Sequence, residues 1–268
     1  MNHAAKTLNH EPDAGGASRA LDKGLSILEM LSAAREPAGL TAIAARVKLG
    51  KASALRLLRT LEVRGYIRRE GDHGYLLGGS WPSRERETCL SALREIAPPV
   101  MERLNSQFGE TVALAFLFGD VIRVIEVRES LHHIRMSNYP GRILQPYASS
   151  LGKAISAFQT PQTVQRLLEV YGIYRLTPDT ICDPAAIREE LGRVRKRGYS
   201  TDRAETVAGG HCFGAPIYAG PASVVAAISL SLPGVRLTPQ IEEILPRTIV
   251  RAARDISAEL KKLLPAAS

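Results

Sequence analysis

The stretch GKASALRLLRTLEVRGY, residues 50–66, decides how this chain is to be read. Ala54, Leu57, Leu58 and Leu61 recur at helical spacing and form one apolar stripe, while Lys51, Ser53, Arg56 and Arg59 fall outside it. One face of the helix is made to pack; the other carries positive charge. Such a face is usually just solvated. Here the local excess argues for a polyanion, because residues 41–69 hold eight Lys or Arg against the single acid Glu62, a net +7 of the chain's +8.

Working outward, ALDKGLSILEMLSAA places Leu21, Leu25, Leu28 and Leu31 on one helical stripe with Ile27 alongside, and Pro37 and Gly39 end that helix. Thr41 is expected to N-cap a short helix, AIAARVKL, with Ile43, Ala44 and Val47 inward, and Gly50 to supply a tight turn. Two short helices joined this way form a helix-turn-helix, whose second helix enters the major groove of DNA. After Gly65, YIRREGDHGYLLGG reads as a hairpin over residues 66–69 and 75–77 with a GDHG turn. A hairpin beside a recognition helix is a wing, with Arg68 and Arg69 placed for phosphates. A three-helix protein-binding module explains the helices but not the basic wing.

The chain of 268 residues is long enough for two domains. With 45% hydrophobic and 23% charged residues it reads as a globular, cytoplasmic protein. Cys89, Cys182 and Cys212 lie far apart without a CxxC, which excludes a disulfide scaffold or a familiar zinc module. No apolar run approaches the roughly 20 residues of a membrane span. Residues 1–17 lack a signal-peptide core and read as a disordered tail. The expected organisation is a winged helix-turn-helix over 18–80, a linker helix over 81–97 that Pro98-Pro99 breaks or restarts, and a ligand-binding domain over 98–268. In that last part Gly109 closes a helix, TVALAFLFGDVIRVIEVRES is a hairpin around Gly119-Asp120, and SSLGKAISAF, TPQTVQRLLEVYG and PAAIREELGRVRKRG are helical. GHCFGAPIYAGPASVVAAISLSLPG is a second hairpin, before a long final helix in which Pro246 is a candidate kink. Hairpins rather than repeated βαβ units indicate an α+β fold.

Two segments resemble one known family. LTAIAARVKLGKASALRLLRTLEVRGYIRRE is similar to the winged helix-turn-helix of IclR-type bacterial transcription regulators, matching at Leu40, Thr41, Ala44, Leu49, Ser53, Arg56, Leu57, Leu58, Leu61, Gly65 and Tyr66. It departs at Ala52, where the family usually has Ser. VRKRGYSTDRAETVAGGHCFGAPI resembles that family's effector-domain signature, at Arg195, Gly198, Tyr199, Asp202, Glu205, Gly209, Cys212, Pro216 and Ile217. YASSLGKAISAF and AAISLSLPG look like the family's neighbouring segments. The likeness runs from about Arg19 to Leu263. It implies a winged helix joined by a helix to a GAF-like α/β effector domain, assembled as dimers or tetramers on an operator in double-stranded DNA.

By that resemblance the DNA contacts fall on Thr41, Lys51, Ala52, Ser53, Arg56, Arg59, Arg68 and Arg69. The effector pocket falls on Met136, Ser150, Leu151, Asp202, Cys212, Ser229 and Ser231. Backbone N–H groups at the start of the LGKA helix suit an anion, and alternate residues Ser229 and Ser231 share one strand face. Arg135 and Arg142 hint at a carboxylate, the family's commonest effector type; an aromatic metabolite is the other class expected. Each serine also reads as a satisfied core hydroxyl, and Asp202 as a cap or a partner of Arg203. His211-Cys212 near Glu205 invites a different class, a GAF-like enzyme with Cys212 as nucleophile. Neighbours on a strand face opposite ways, which argues against it. There is no paired-carboxylate site, metal cluster or GxxxxGK[ST] loop, and His132-His133 lacks helical ligand spacing; no metal and no cofactor are expected.

Overall fold

The computed structural model describes residues 18–34, 36–78, 84–220 and 223–264, with backbone only at Arg84 and Glu85. The expected tail, 1–17, lies outside the described residues. The chain divides into two compact units, Met1–Trp81 and Pro82–Ser268.

The first unit contains α1 (Arg19–Ala33), α2 (Leu40–Arg46), α3 (Lys51–Val63), β1 (Ile67–Arg69) and β2 (Tyr75–Leu77). Its core is Ile27, Leu28, Leu31, Ile43, Val47, Leu58, Ile67 and Tyr75. The apolar stripe of α1 is rotated from the expected one. Leu21 and Leu25 are 63% and 46% exposed, and the buried row is Gly24, Ile27, Leu28 and Leu31, also a helical repeat. Two further expectations are corrected. Thr41 is no cap, since α2 starts at Leu40 behind Gly39 without any side-chain cap. Gly50 has an ordinary φ of −66° and stands as N-cap of α3, while the reversal is made at Lys48, whose φ is +53°. There Leu49 N–H reaches Ala44 O at 3.0 Å and Lys48 N–H reaches Ala45 O at 3.2 Å, closing the end of α2 as a Schellman turn does. The wing forms as read, Ile67 opposite Leu77 and Arg69 opposite Tyr75. Tyr75 pairs in turn with Ala38. Gly74 is required at that crossing: its φ is +125°, and a Cβ there would lie 2.5 Å from Ala38 O.

The second unit is built on an antiparallel sheet in the order β4-β3-β7-β6-β5. It contains α4 (Arg84–Phe108), β3 (Thr111–Phe118), β4 (Val121–Arg128), α5 (Ser150–Ser156), α6 (Pro161–Tyr171), α7 (Pro184–Arg197), β5 (Ser200–Arg203), β6 (Gly210–Tyr218), β7 (Val224–Pro233) and α8 (Pro239–Leu263). One sheet face presents large side chains such as Leu114, Phe116, Phe213 and Leu230 to Leu93 and Met101 of α4 and Ile249 and Ile256 of α8. The other presents Ala113, Ala115 and Ala227 to Leu151, Ala154 and Ile155 of α5.

Pro98-Pro99 does not break the connecting helix, contrary to the expected end at 97: α4 runs unbroken to Phe108. The two prolines free the carbonyls of Arg94 and Glu95, which are exposed and can take water, while Leu93, Ala97, Val100 and Met101 bury the opposite side. Pro246 likewise lies inside an unbroken α8. The short strand β5 was not anticipated within the signature segment. Between β4 and α5 runs a long loop without helix or strand; residues 141–144 lie along the outer edge of β4, with Val124 N–H on Arg142 O (3.0 Å), Gly141 N–H on Val124 O (2.8 Å) and Leu144 N–H on Ile122 O (2.9 Å).

The closeness of α5 to that loop rests on Gly152, where an added Cβ would lie 2.0 Å from Gln145 O. Backbone cannot give way as a side chain does, so Gly152→Ala is expected to destabilise the second unit by about 1–3 kcal/mol. Urea denaturation measures this; an unchanged midpoint would show that α5 has room to shift.

Candidate functional site

In the first unit α2, the turn at Lys48 and α3 form a helix-turn-helix. Lys51, Ala52, Ser53, Arg56 and Arg59 are all exposed on α3, as are Thr41 on α2 and Arg68 and Arg69 on β1. Ala54 and Leu58 alone are fully buried, with Leu57 and Leu61 packed partly against the core. Among the described residues Lys51, Arg56 and Arg59 have no carboxylate partner; only Arg68 has one, Glu70 at 3.8 Å. The eight residues singled out from the sequence are thus all solvent-exposed, and five of them are Lys or Arg.

In the second unit the strand register assembles a polar row. Asp202 of β5 lies opposite Cys212 of β6, which lies opposite Ser231 of β7, which lies opposite Thr111 of β3. Two positions along, Gly214 lies opposite Ser229. Ser200 Oγ donates to Ser150 O at 2.6 Å and docks the start of α5 over Gly214. Together with the loop before α5 and the turn after β5, these enclose a cavity of about 240 Å³. Met136, Ser150, Leu151, Asp202, Cys212, Ser229 and Ser231 all line it. So do Arg135, Arg142, Thr111, Gln145 and Thr206. Thr111 was legible in principle as the strand position aligned with Ser231; nothing in the sequence marks Gln145, whose Oε1 is buried without a partner among the described residues.

Asp202 lines the cavity, but its carboxylate is turned into its own loop. Oδ1 accepts from Glu205 N–H (2.8 Å) and Thr206 N–H (3.2 Å), and Oδ2 accepts from the Thr206 hydroxyl. It caps, and Arg203 pairs instead with Glu242. Behind it Lys153 of α5, wholly buried, holds Glu205 at 2.5 Å and lies 4.0 Å from Glu190 of α7. Burial raises the Asp202 carboxyl pKa, against the Thr206 hydroxyl and Lys153, which lower it. Burial likewise raises Glu205, with Lys153 opposing.

Cys212 does not suit a nucleophile. Burial first, then the Asp202 charge, push its thiol far up, so it stays protonated. His211 points away, lying opposite Leu232 and packing near Gly234. His132 and His133 are exposed, and the described residues contain no cluster of His, Cys, Asp and Glu that could hold a metal.

A basic helix-turn-helix with a wing, and a separate unit with a partly open cavity lined by polar side chains, define a DNA-binding regulator with a ligand domain. The chain matches the IclR helix-turn-helix domain model over residues 20–71 and the model of the bacterial transcriptional regulator IclR C-terminal domain over residues 90–258. It is 33% identical to the HTH-type transcriptional regulator BhcR of Paracoccus denitrificans over 91% of this chain and 88% of that protein. It is 30% identical to the transcriptional repressor IclR of Escherichia coli over 91% and 90% of the two chains. Among solved structures it resembles an IclR homologue from Microbacterium hydrocarbonoxydans complexed with 4-hydroxybenzoate, with a TM-score of 0.58 and 26% identity over 91% of this chain and 99% of that one. The chain belongs to the IclR family and is a ligand-responsive, DNA-binding transcription regulator. Among its described residues no helix is long and apolar enough to cross a membrane.

The buried carboxyls make stability pH-dependent in a defined direction. A carboxyl whose pKa is higher folded than unfolded binds more protons in the native state, so it favours the fold at low pH. That contribution is lost as pH rises from the ordinary carboxylate value through the raised one. Asp202→Asn removes one such group, so the stability of the parent minus that of the variant should fall as pH rises from about 4. Urea midpoints taken across pH test this; a difference that stays constant, or rises, would show that Asp202 is not held in the protonation-prone state.

Proposed function

We propose that the cavity is the effector site, that its ligand is a small carboxylate bearing further polar groups, and that α3 and the wing hold the operator. The observation that carries the effector class is Arg142. Of the two arginines lining the cavity, Arg135 is neutralised by Glu129 at 2.8 Å, whereas Arg142 has no carboxylate partner among the described residues and donates only to Ser137 O at 3.3 Å. An unpaired, half-buried guanidinium facing a cavity favours an anion, and a planar fork favours a carboxylate. Ser229 and Ser231 add hydroxyls on the opposite wall. At about 240 Å³ the cavity lies below the range typical of drug-sized ligands, which restricts the effector to a short aliphatic or single-ring acid. The Microbacterium homologue, with its 4-hydroxybenzoate, is consistent with that size.

Cys212 takes no part in turnover on this reading; its protonated thiol serves only the wall, His211 points away from it, and the protein is not an enzyme. Operator recognition requires two half-sites read together, so the working form is a homo-oligomer, in the cytoplasm where the DNA is. Uncapped N–H groups at the first turn of α3 add to Lys51 and Ser53 as phosphate contacts.

For DNA, Arg56→Ala should cost about 1–3 kcal/mol on the cognate operator and little on random sequence, whereas Arg68→Ala should weaken both alike. Gel shifts over a salt series measure both. With about six phosphates neutralised per dimer, log K should fall with log salt at a slope near −5. Equal losses on both DNAs for both variants would remove α3 from base readout.

For the effector, thermal shifts with a panel of short carboxylic acids and their amides should show stabilisation by acids alone. Arg142→Gln should abolish it, a loss of about 2 kcal/mol or more. Amides that stabilise as well as acids would overturn the carboxylate assignment.

A further inference from the structure

The outer wall of the cavity is the loop before α5, and its fastening is uneven. Its start is tied to the end of α4: Asn105 Nδ2 donates to Glu110 O (2.9 Å) and Glu129 O (2.7 Å), and Ser130 Oγ and Leu131 N–H both donate to Gly109 O, at 2.6 and 3.0 Å. Its end, residues 141–144, is laced to β4 as described. Between these anchors nearly every residue is exposed, Ile134 at 76% and Tyr139 at 60%. Yet this span contributes Met136, Ser137 and Asn138 to the cavity. A segment with so little buried surface opens easily unless it is tied across.

Among the described residues only two hydrogen bonds tie its middle to the rest of the fold. Thr111 Oγ1 donates to Met136 O at 2.7 Å. Arg236, in the single 3₁₀ turn between β7 and α8, donates from Nη1 to Ile134 O at 2.9 Å. The other hydrogen bonds of the span, such as Arg135 to Glu129 and Arg142 to Ser137 O, are local to the loop, and Met136 packs against Gly210. The remaining arms of Arg236 grip both carboxylate oxygens of Glu110, with Nη2 to Oε2 at 2.8 Å. Glu110 is only 4% exposed and directly follows Gly109, where α4 ends. One planar guanidinium therefore bridges three places: the wall of the cavity, the end of the connecting helix and the turn into α8.

We propose that Arg236, braced by Glu110, is a positioning residue that latches the cavity wall and ties its opening to the end of α4. Glu110 holds the guanidinium plane in place, and the free edge of that plane holds Ile134 O. A ligand that pushes Met136 outward loads Thr111 and Arg236 together, and through Glu110 the last turn of α4. Arginine is needed because a lysine ammonium is a single point donor, able to neutralise Glu110 but not to span the carboxylate and the carbonyl at once. The proposal rests on the cavity being the effector site, but its test needs no effector.

Cys212, inside the cavity, reports opening, and Cys89, in the α4 core on the other sheet face, reports loosening of the whole unit. The full-length protein is exposed to methyl methanethiosulfonate and the modification rate of each cysteine is read by peptide mass. Arg236→Lys, which keeps the charge beside Glu110, should speed modification of Cys212 by about three- to tenfold, the range expected for one lost hydrogen bond. Cys89 should not change. Thr111→Val should do the same, and the pair together should exceed either, with backbone hydrogen exchange rising across residues 131–140 and at the end of α4. Unchanged Cys212 rates in both variants would overturn the latch. So would Cys89 rising in step with Cys212, because the pair would then be a plain structural brace. If Arg236→Lys does not fold, Thr111→Val alone decides on the same two rates. Should acids and amides stabilise alike while the Cys212 response holds, the effector class falls and the latch stands.

Discussion

A positive charge with no access to water organises the ligand domain. Lys153 comes from α5 at full burial and is met by Glu205 from the turn after β5 and, at 4.0 Å, by Glu190 from α7. Glu190 is itself held by Arg193 and Arg197, each at 2.9 Å. Burying such charges costs several kcal/mol per ion, and their attraction repays it only in good geometry, so the cluster is no large source of stability. Its effect is on arrangement. Removing Lys153 would leave the Glu205 carboxylate without a cation among the described residues, and removing Glu205 would leave Lys153 with only Glu190 at 4.0 Å, so the pair fixes α5 against the turn after β5. Glu205 Oε2 has no partner among the described residues, a residual cost that sits beside the cavity. Because Asp202 caps the N–H of Glu205, the cavity's polar row and this charge cluster share the same turn.

The sheet explains why the polar cavity lies on the face toward α5. The face toward α4 and α8 is filled by Leu, Ile, Met and Phe at close packing. On the other face the register lines up Thr111, Cys212, Ser229, Ser231 and Ala113, all short side chains. Short residues across three strands leave a volume that α5 only partly covers, and the polar ones make it hospitable to a polar guest.

Much of this was legible in advance because periodicity reports burial. The stripe of α3, both hairpins, the helices α5 to α8 and the shared strand face of Ser229 and Ser231 follow from spacing, whereas their place in the pocket was implied by the family resemblance. The misreadings have separate physical causes. In α1 two overlapping apolar rows compete, and the one through Ile27, Leu28 and Leu31 is the one buried. At Lys48 a non-glycine residue takes the left-handed turn, which no composition rule flags. Across Pro98-Pro99 tertiary packing outweighs two missing hydrogen bonds. Asp202 was placed beside the cavity, but its carboxylate serves the loop, a distinction that depends on where Thr206 folds back. Glu110 and Arg236 are 126 positions apart in sequence, and nothing local marks them as a pair.

The strip of loop laced to β4 has a meaning for the whole sheet as well as for the cavity. An open strand edge is a template on which another chain can add itself, by aggregation or by swapping. Here residues 141–144 occupy the backbone groups of β4 at Ile122 and Val124, and the opposite border, β5, is only four residues long. The segment that carries the cavity's unpaired arginine is thus also the hem that keeps the sheet from being extended. Copies of this chain that associate therefore cannot share a strand over the stretch of β4 at Ile122 and Val124.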